Sequence, residues 1–329
     1  MASSEQLKAL IKSHLSGDDD RFLSVALQVA AHEAKIGHGK LAIELRDLVE
    51  KARKSKKLQS VPVSIAKGVK DASGLLYATT PSARLADLVT TRAIEEQLIR
   101  VIREQRHLAK LKNHGLEPRR RLLLVGAPGT GKTFTASVLA GELGYPLFQV
   151  RLDAVITKFM GESSAKLRQI FDAIREVRGV YFFDEFDALG SQRSSSNDVG
   201  EARRILNSFL QMIEQDDSNS VIVCATNHAQ MLDYALFRRF DDVIQYHLPG
   251  KDDIQRLFNN RLKPYMDNSV PVDKMAVLAE GLSSAEVTQA AQDAIKEMLI
   301  HGHEKVTQDD LQSAIEDRRR MSHQVHKQG

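Results

Sequence analysis

The octapeptide Gly126-Ala127-Pro128-Gly129-Thr130-Gly131-Lys132-Thr133 has the spacing GxxxxGKT, between an apolar run and a stretch of helical character. Its glycines let successive backbone amides turn toward one point, and a helix start adds its dipole, so the loop is suited to cradling phosphates. Lys132 has the reach for the β- and γ-phosphates of a nucleoside triphosphate, and the Thr133 hydroxyl is placed to hold magnesium. About 50 residues later, Val180-Tyr181-Phe182-Phe183-Asp184-Glu185 is an apolar run ending in two carboxylates. Asp184 is expected to coordinate magnesium, directly or through water, and Glu185 to accept a proton from an attacking water. Alone, a strand followed by Asp-Glu is more often structural. Its place after a phosphate loop gives it the catalytic reading.

Such groups need a sheet whose strand ends lie side by side. Buried strands are predicted at residues 122–125, 146–150, 180–183 and 221–225, with helical stretches such as 94–109, 164–177 and 200–213 among them. Strands alternating with helices specify an α/β fold, here a P-loop parallel sheet flanked by helices. After Pro249-Gly250 only helical patterns remain, at 252–262, 272–279, 284–300 and 307–318, which predicts a small all-helical lid domain. The first 56 residues show three short amphipathic faces: Leu7, Leu10, Ile11 and His14; then Phe22, Ala26, Val29 and Ala30; then Leu41, Leu45, Leu48 and Val49. Lys51, Arg53, Lys54, Lys56 and Lys57 crowd the end of this bundle and read as a solvated helix end rather than a nucleic-acid contact. The expected division is a helical N-terminal domain (1–56), a linker (57–80), a large α/β domain (81–249), a small helical domain (250–318) and a tail (319–329).

Composition narrows the classes. Of the 329 residues, 42% are hydrophobic and 27% charged, close to soluble globular averages, and no apolar run is long enough for a membrane span. The first 15 residues carry Glu5, Lys8 and Lys12 among their apolar positions and fit no signal or transit peptide. One cysteine, Cys224, makes neither an intramolecular disulfide nor a multi-cysteine metal site, and a cytoplasmic location is expected. A formal net charge of +3 gives no electrostatic case for nucleic acid.

With these motifs in place, residues 81–318 resemble an AAA ATPase of the AAA+ superfamily, the branch that includes protein-remodelling motors. The resemblance implies ATP and Mg2+ as cofactors, with Pro128, Gly129, Thr130, Gly131, Lys132, Thr133, Phe134 and Asp184 at the nucleotide. It gives Asn227, in Cys224-Ala225-Thr226-Asn227, the role of positioning the lytic water; an Asn at a strand end also serves as a turn cap. Leu232 to Asp241 resembles the second region of homology, in which Arg238 and Arg239 would enter a neighbouring subunit's site, unless one of them forms an intrachain salt bridge. Guanidinium suits that role, being always charged and spreading donors over several phosphate oxygens. Lys158-Phe159-Met160-Gly161 resembles the pore loop that grips polypeptide, although Phe159 and Met160 taken alone read as core residues. Residues 190–200 are either a second pore-facing loop or a plain surface loop. Gly281-Leu282-Ser283-Ser284-Ala285-Glu286 resembles Gly-x-Ser-Gly-Ala-Asp, with Ser284 for glycine and Glu286 for aspartate, leaving Gly281 and Ala285 as adenine neighbours. Leu88 and Val89 lie where the family's leading segment meets the adenine, or are ordinary core.

The resemblance implies a homohexamer that threads or remodels a protein substrate. The overall look is also similar to stand-alone bacterial AAA ATPases encoded beside a subtilisin-like serine protease. No Ser/His/Asp protease signature or HExxH is present, so proteolysis would fall to a partner. The competing classes are a nucleic-acid motor or loader and an ATP-controlled, non-translocating switch.

Overall fold

The computed structural model describes residues 25–26, 29–33, 38, 42–43, 46–47, 72, 74–156, 162–189, 196–228, 230, 234–266 and 270–326. The chain forms two compact units, Met1–Ser64 and Ile65–Gly329. In the first, residues 25–26, 29–33, 42–43 and 46–47 are helical, and Val25, Val29, Ala30 and Ala42 are buried. Glu33, also buried, faces His38 Nδ1 at 2.6 Å, and this hydrogen bond lowers its pKa.

The second unit is built on a six-stranded sheet of order β1-β3-β4-β5-β2-β6. Its strands are β1 (Leu76–Thr79), β2 (Arg121–Gly126), β3 (Leu147–Val150), β4 (Val180–Phe183), β5 (Val221–Thr226) and β6 (Asp242–Tyr246). β2 to β6 pair in parallel, and β1 lies antiparallel on β3 at one edge. Every residue of β4 and β5 is buried, as expected where helices cover both faces of a parallel sheet. The covering helices include α1 (Arg92–Arg106), which buries Ile94, Leu98, Val101 and Ile102 at helical spacing. After the short α2 (Leu108–Lys112), α3 (Lys132–Leu143) packs Ala136, Val138, Leu139 and Ala140 into the same core. The short α4 (Leu152–Val155) leads to α5 (Glu162–Glu176) and α6 (Ser196–Gln215), where Phe171, Phe183 and Phe186 surround Phe209. The one-turn α7 (Tyr234–Phe237) precedes β6.

Two strands lie outside the four expected from pattern. β1 falls inside residues 57–80, the stretch read as linker; its four residues are too few for a period-2 signal, and its pairing with β3 holds it. β6 is an edge strand with Asp242 and Gln245 in its short run, so it lacks the continuous apolar character of the buried strands. The lid helices are α8 (Lys251–Leu262), α9 (Val272–Leu278), α10 (Ser284–Ile300) and α11 (Gln308–His326), around a separate core of Ile254, Phe258, Ala290, Ala294, Leu311 and Ile315. α11 runs on through residues 319–326, where no Gly or Pro interrupts it, so most of the expected tail is helix. No helix among the described residues is long and apolar enough to cross a membrane.

Candidate nucleotide site

Strand order brings the predicted chemistry together. β4, β5 and β2 are neighbours and run parallel, so the groups following their C-terminal ends share one edge of the sheet. Phe183 and Leu123 both register with Cys224, and Val125 registers with Thr226. The phosphate loop, Asp184-Glu185 and Asn227 consequently line a single cleft of about 1100 Å³. Pro128, Gly129, Thr130, Gly131, Lys132, Thr133 and Phe134 form one wall, Leu88 and Val89 a second, and Ala285 with residues of α8 and α10 a third.

Gly131 starts α3 with φ 103°, a left-handed conformation that only glycine adopts without strain. That bend turns the loop back over the helix, and Thr130 Oγ1 donates to the Ala127 carbonyl at 2.8 Å. Lys132 is buried, and its ammonium donates to the carbonyls of Gly126 (2.8 Å) and Ala127 (2.7 Å). Burial holds its pKa below the ordinary lysine value, against the opposing pull of the Asp184 and Asp187 carboxylates. Thr133 Oγ1 donates to Asp184 Oδ2 at 3.0 Å, which puts two hard oxygen donors where a magnesium ion accompanying a triphosphate would need them. Replacing Lys132 with alanine should weaken nucleotide binding about 10- to 100-fold, the scale of a lost charge-assisted hydrogen bond. A fluorescent-nucleotide titration checks this, and unchanged affinity would count against the phosphate-loop assignment.

Glu185 has φ 49°, the one positive value at a non-glycine residue among those described. Such a conformation costs on the order of 1–3 kcal/mol and persists only where surroundings impose it. Here the Glu185 amide donates to Asp184 Oδ1 at 3.0 Å, and its carbonyl accepts from the Ala188 amide at 2.8 Å. The Asp187 carboxylate receives the Thr226 hydroxyl at 2.8 Å, tying the turn after β4 to the end of β5 beside Asn227. Thr226 Oγ1 also accepts the His228 amide at 3.0 Å, so the backbone on both sides of Asn227 is fixed.

On the lid side, Ser283 caps α10 through the Glu286 amide, and Glu286 Oε2 accepts the Ser283 amide at 2.7 Å. Glu286, which stands where the family pattern has aspartate, is thus half of a capping box. The Ala285 amide donates to the Gly129 carbonyl at 2.9 Å, a direct link from lid to phosphate loop. A Cβ on Gly129 would lie 2.7 Å from Ser283 Oγ, so this approach also requires glycine. Gly281 does not line the cleft; its φ of 90° serves the turn entering α10. The cleft includes residues that the motifs did not single out: Leu257, Asn260 and Arg261 on one face of α8, Lys263 just beyond it, and Thr288, Gln289 and Gln292 along α10. Their i, i+3 and i+4 spacing marks each set as one helical face, but nothing in the sequence says that these faces meet the phosphate loop.

The sequence profile of the ATPase family associated with various cellular activities (AAA) matches residues 122–248. The chain is also similar to an uncharacterized AAA family ATPase, y4kL, of Sinorhizobium fredii (strain NBRC 101917 / NGR234), with 34% identity over 323 residues, 97% of this chain and 96% of that protein. The chain belongs to the AAA ATPase family. Two proteasome-activating nucleotidases are similar as well: that of Sulfurisphaera tokodaii, 34% identical across 62% of this chain and 54% of its own, and that of Saccharolobus solfataricus, 34% identical across 68% and 60%. The matches span little more than half the length of those nucleotidases. Membership of the AAA family carries ATP hydrolysis with it.

In this AAA chain the two arginines sit far from the cleft. β6 is parallel to β2, with Leu122 in register with Asp242, so Arg238 and Arg239, just before β6, lie at the opposite end of the sheet from the phosphate loop. Six residues of β2 separate the two ends, about 20 Å. Asp241 fixes the turn, its Oδ2 accepting the amides of Arg120 and Arg121, each at 2.9 Å. Arg239 forms an ion pair with Glu214 of α6, and both side chains remain 42% exposed. Arg238 is exposed. The pore-loop residues Phe159, Met160 and Gly161 and residues 190–195 of the second loop lie outside the described residues; from Ser196 onward that stretch is α6.

Proposed function

We propose that the protein is a magnesium-dependent ATPase that works as a ring, a homohexamer, with each subunit completing its neighbour's active site and the ring remodelling or threading a protein substrate. The observation that carries this reading is the placement of Arg238 and Arg239 at the sheet edge opposite their own phosphate loop. Arginines so placed serve a triphosphate only across a subunit boundary, and a cyclic assembly offers each of them one. Within a subunit, Lys132 would hold the β- and γ-phosphates while the P-loop amides share their charge. Bound magnesium, held by Thr133 and Asp184, would neutralise charge developing on the phosphates. Glu185 would take the proton of the attacking water and Asn227 would orient that water, its amide both donating and accepting.

A protein substrate is supported by the motif Phe159-Met160-Gly161 and by the likeness to proteasome-activating nucleotidases. Any proteolysis belongs to a partner, and a subtilisin-like protease is the partner suggested by the overall resemblance. The near-neutral charge gives nucleic acid no comparable support, and a cytoplasmic setting fits the single, buried cysteine. The test is to challenge the protein with an unfolded polypeptide and measure its ATPase rate and substrate processing. Polypeptide should stimulate hydrolysis, and Phe159→Ala should abolish processing while assembly and basal hydrolysis hold. If Phe159 is a core residue instead, the same change costs about 3–5 kcal/mol and lowers the melting temperature. Normal processing by Phe159→Ala would defeat threading, and stimulation by DNA alone would favour the nucleic-acid class.

A further inference from the structure

One wall of the cleft comes from residues 82–89, where only a single 3-10 turn, Leu85–Asp87, provides regular structure. What holds this stretch is the last turn of α3. The Leu85 amide donates to Glu142 Oε1 at 3.0 Å, and the Arg84 guanidinium donates to the Gly141 carbonyl. Glu142 is held in turn: Arg106 Nη2 donates to its Oε2 at 2.8 Å and to its carbonyl at 2.9 Å. A Cβ on Gly141 would collide with the Ala83 carbonyl oxygen, so the two backbones approach as closely as they do only because residue 141 has no side chain.

The helix carrying this contact is the one that begins at the phosphate loop. Glu142 lies ten residues beyond Lys132 on α3, about 15 Å along its axis. At the other end of the segment, Leu88 Cδ1 is 3.8 Å from where a Cβ on Gly131 would stand. Leu88 and Val89 are buried and apolar, which suits the face of a purine ring. α3 is thus a rigid spacer with the phosphate site at one end and the anchor of the base wall at the other.

We propose that Glu142 and Gly141 are positioning residues for the nucleoside: they clamp residues 82–89 to the phosphate-binding helix and so set the wall on which the base packs. The proposal rests on the ATP-site reading above and adds to it which residues govern affinity for the nucleoside half of the ligand. Neither residue lines the phosphate loop, so the clamp acts on the base and leaves the phosphates alone.

The test compares ATP with magnesium tripolyphosphate, which carries the phosphates without the nucleoside. In Glu142→Ala, KM for ATP should rise about tenfold and kcat change by less than about twofold, with the inhibition constant of tripolyphosphate unchanged. Glu142→Gln retains an oxygen acceptor for the Leu85 amide and should recover most of the lost affinity. If Glu142→Ala proves too unstable to assay, Arg106→Ala loosens the same carboxylate from its other side and should raise KM about threefold, again without weakening tripolyphosphate. Unchanged KM, or equal weakening of ATP and tripolyphosphate, would overturn the clamp. Failure of tripolyphosphate to compete with ATP in the wild-type protein would instead sink the phosphate-site reading beneath it.

Discussion

Alanine at Arg238 or Arg239 should lower turnover about 10³- to 10⁵-fold while leaving ATP affinity in place, the scale on which arginines acting in trans contribute to phosphoryl transfer. The effect is expected to be this large because the triphosphate develops charge that Lys132 alone does not cover, and because water near an incomplete site screens what remains. Arg239 is paired with Glu214 within the subunit, which the sequence left as an alternative to a finger role. An exposed pair of this kind is worth at most about 1 kcal/mol, so it does not hold the guanidinium against a neighbour's phosphates. Mixing separates the two roles. An Arg239→Ala subunit has an intact phosphate loop, and a Glu185→Gln subunit has intact arginines, so under the proposed ring assembly mixtures of the two should regain hydrolysis that neither variant shows alone. No recovery at any ratio would confine the arginine to its own subunit.

Glutamine at Glu185 should leave ATP bound and cut hydrolysis about 10²- to 10⁴-fold, the usual contribution of a positioned general base. The substitution keeps the shape of the side chain and removes only its basicity. It also keeps the hydrogen bonds that hold the left-handed backbone at residue 185, because those are made by its amide and carbonyl. A loss of rate therefore reports on chemistry rather than on a collapsed turn, and a melting curve matching wild type would confirm that. Retained turnover would remove Glu185 from the role of base. The same variant, loaded with ATP and imaged by electron microscopy, should show the ring order directly.

The phosphate loop, the acidic pair and the four buried strands were legible from order along the chain, because each is a contiguous run whose residue types fix local geometry. Glycines at set intervals make a phosphate cradle wherever a strand feeds a helix, and an all-apolar run such as residues 221–225 identifies a strand buried on both faces. The edge strands β1 and β6 were not legible, since a short, half-exposed strand is specified by its neighbour's hydrogen bonds rather than by its own pattern. Nor did the sequence show that Gly281 stands off the cleft while Arg261, Gln289 and Gln292 line it, because those positions depend on how the lid meets the phosphate loop through the Ala285 amide and the Gly129 carbonyl. The resemblance of residues 232–241 to the family's second region of homology singled out Arg238 and Arg239 as candidate fingers. Only the parallel pairing of β2 with β6 placed them at the far end of the sheet from their own phosphate loop, which is the physical reason for proposing that they act on another subunit.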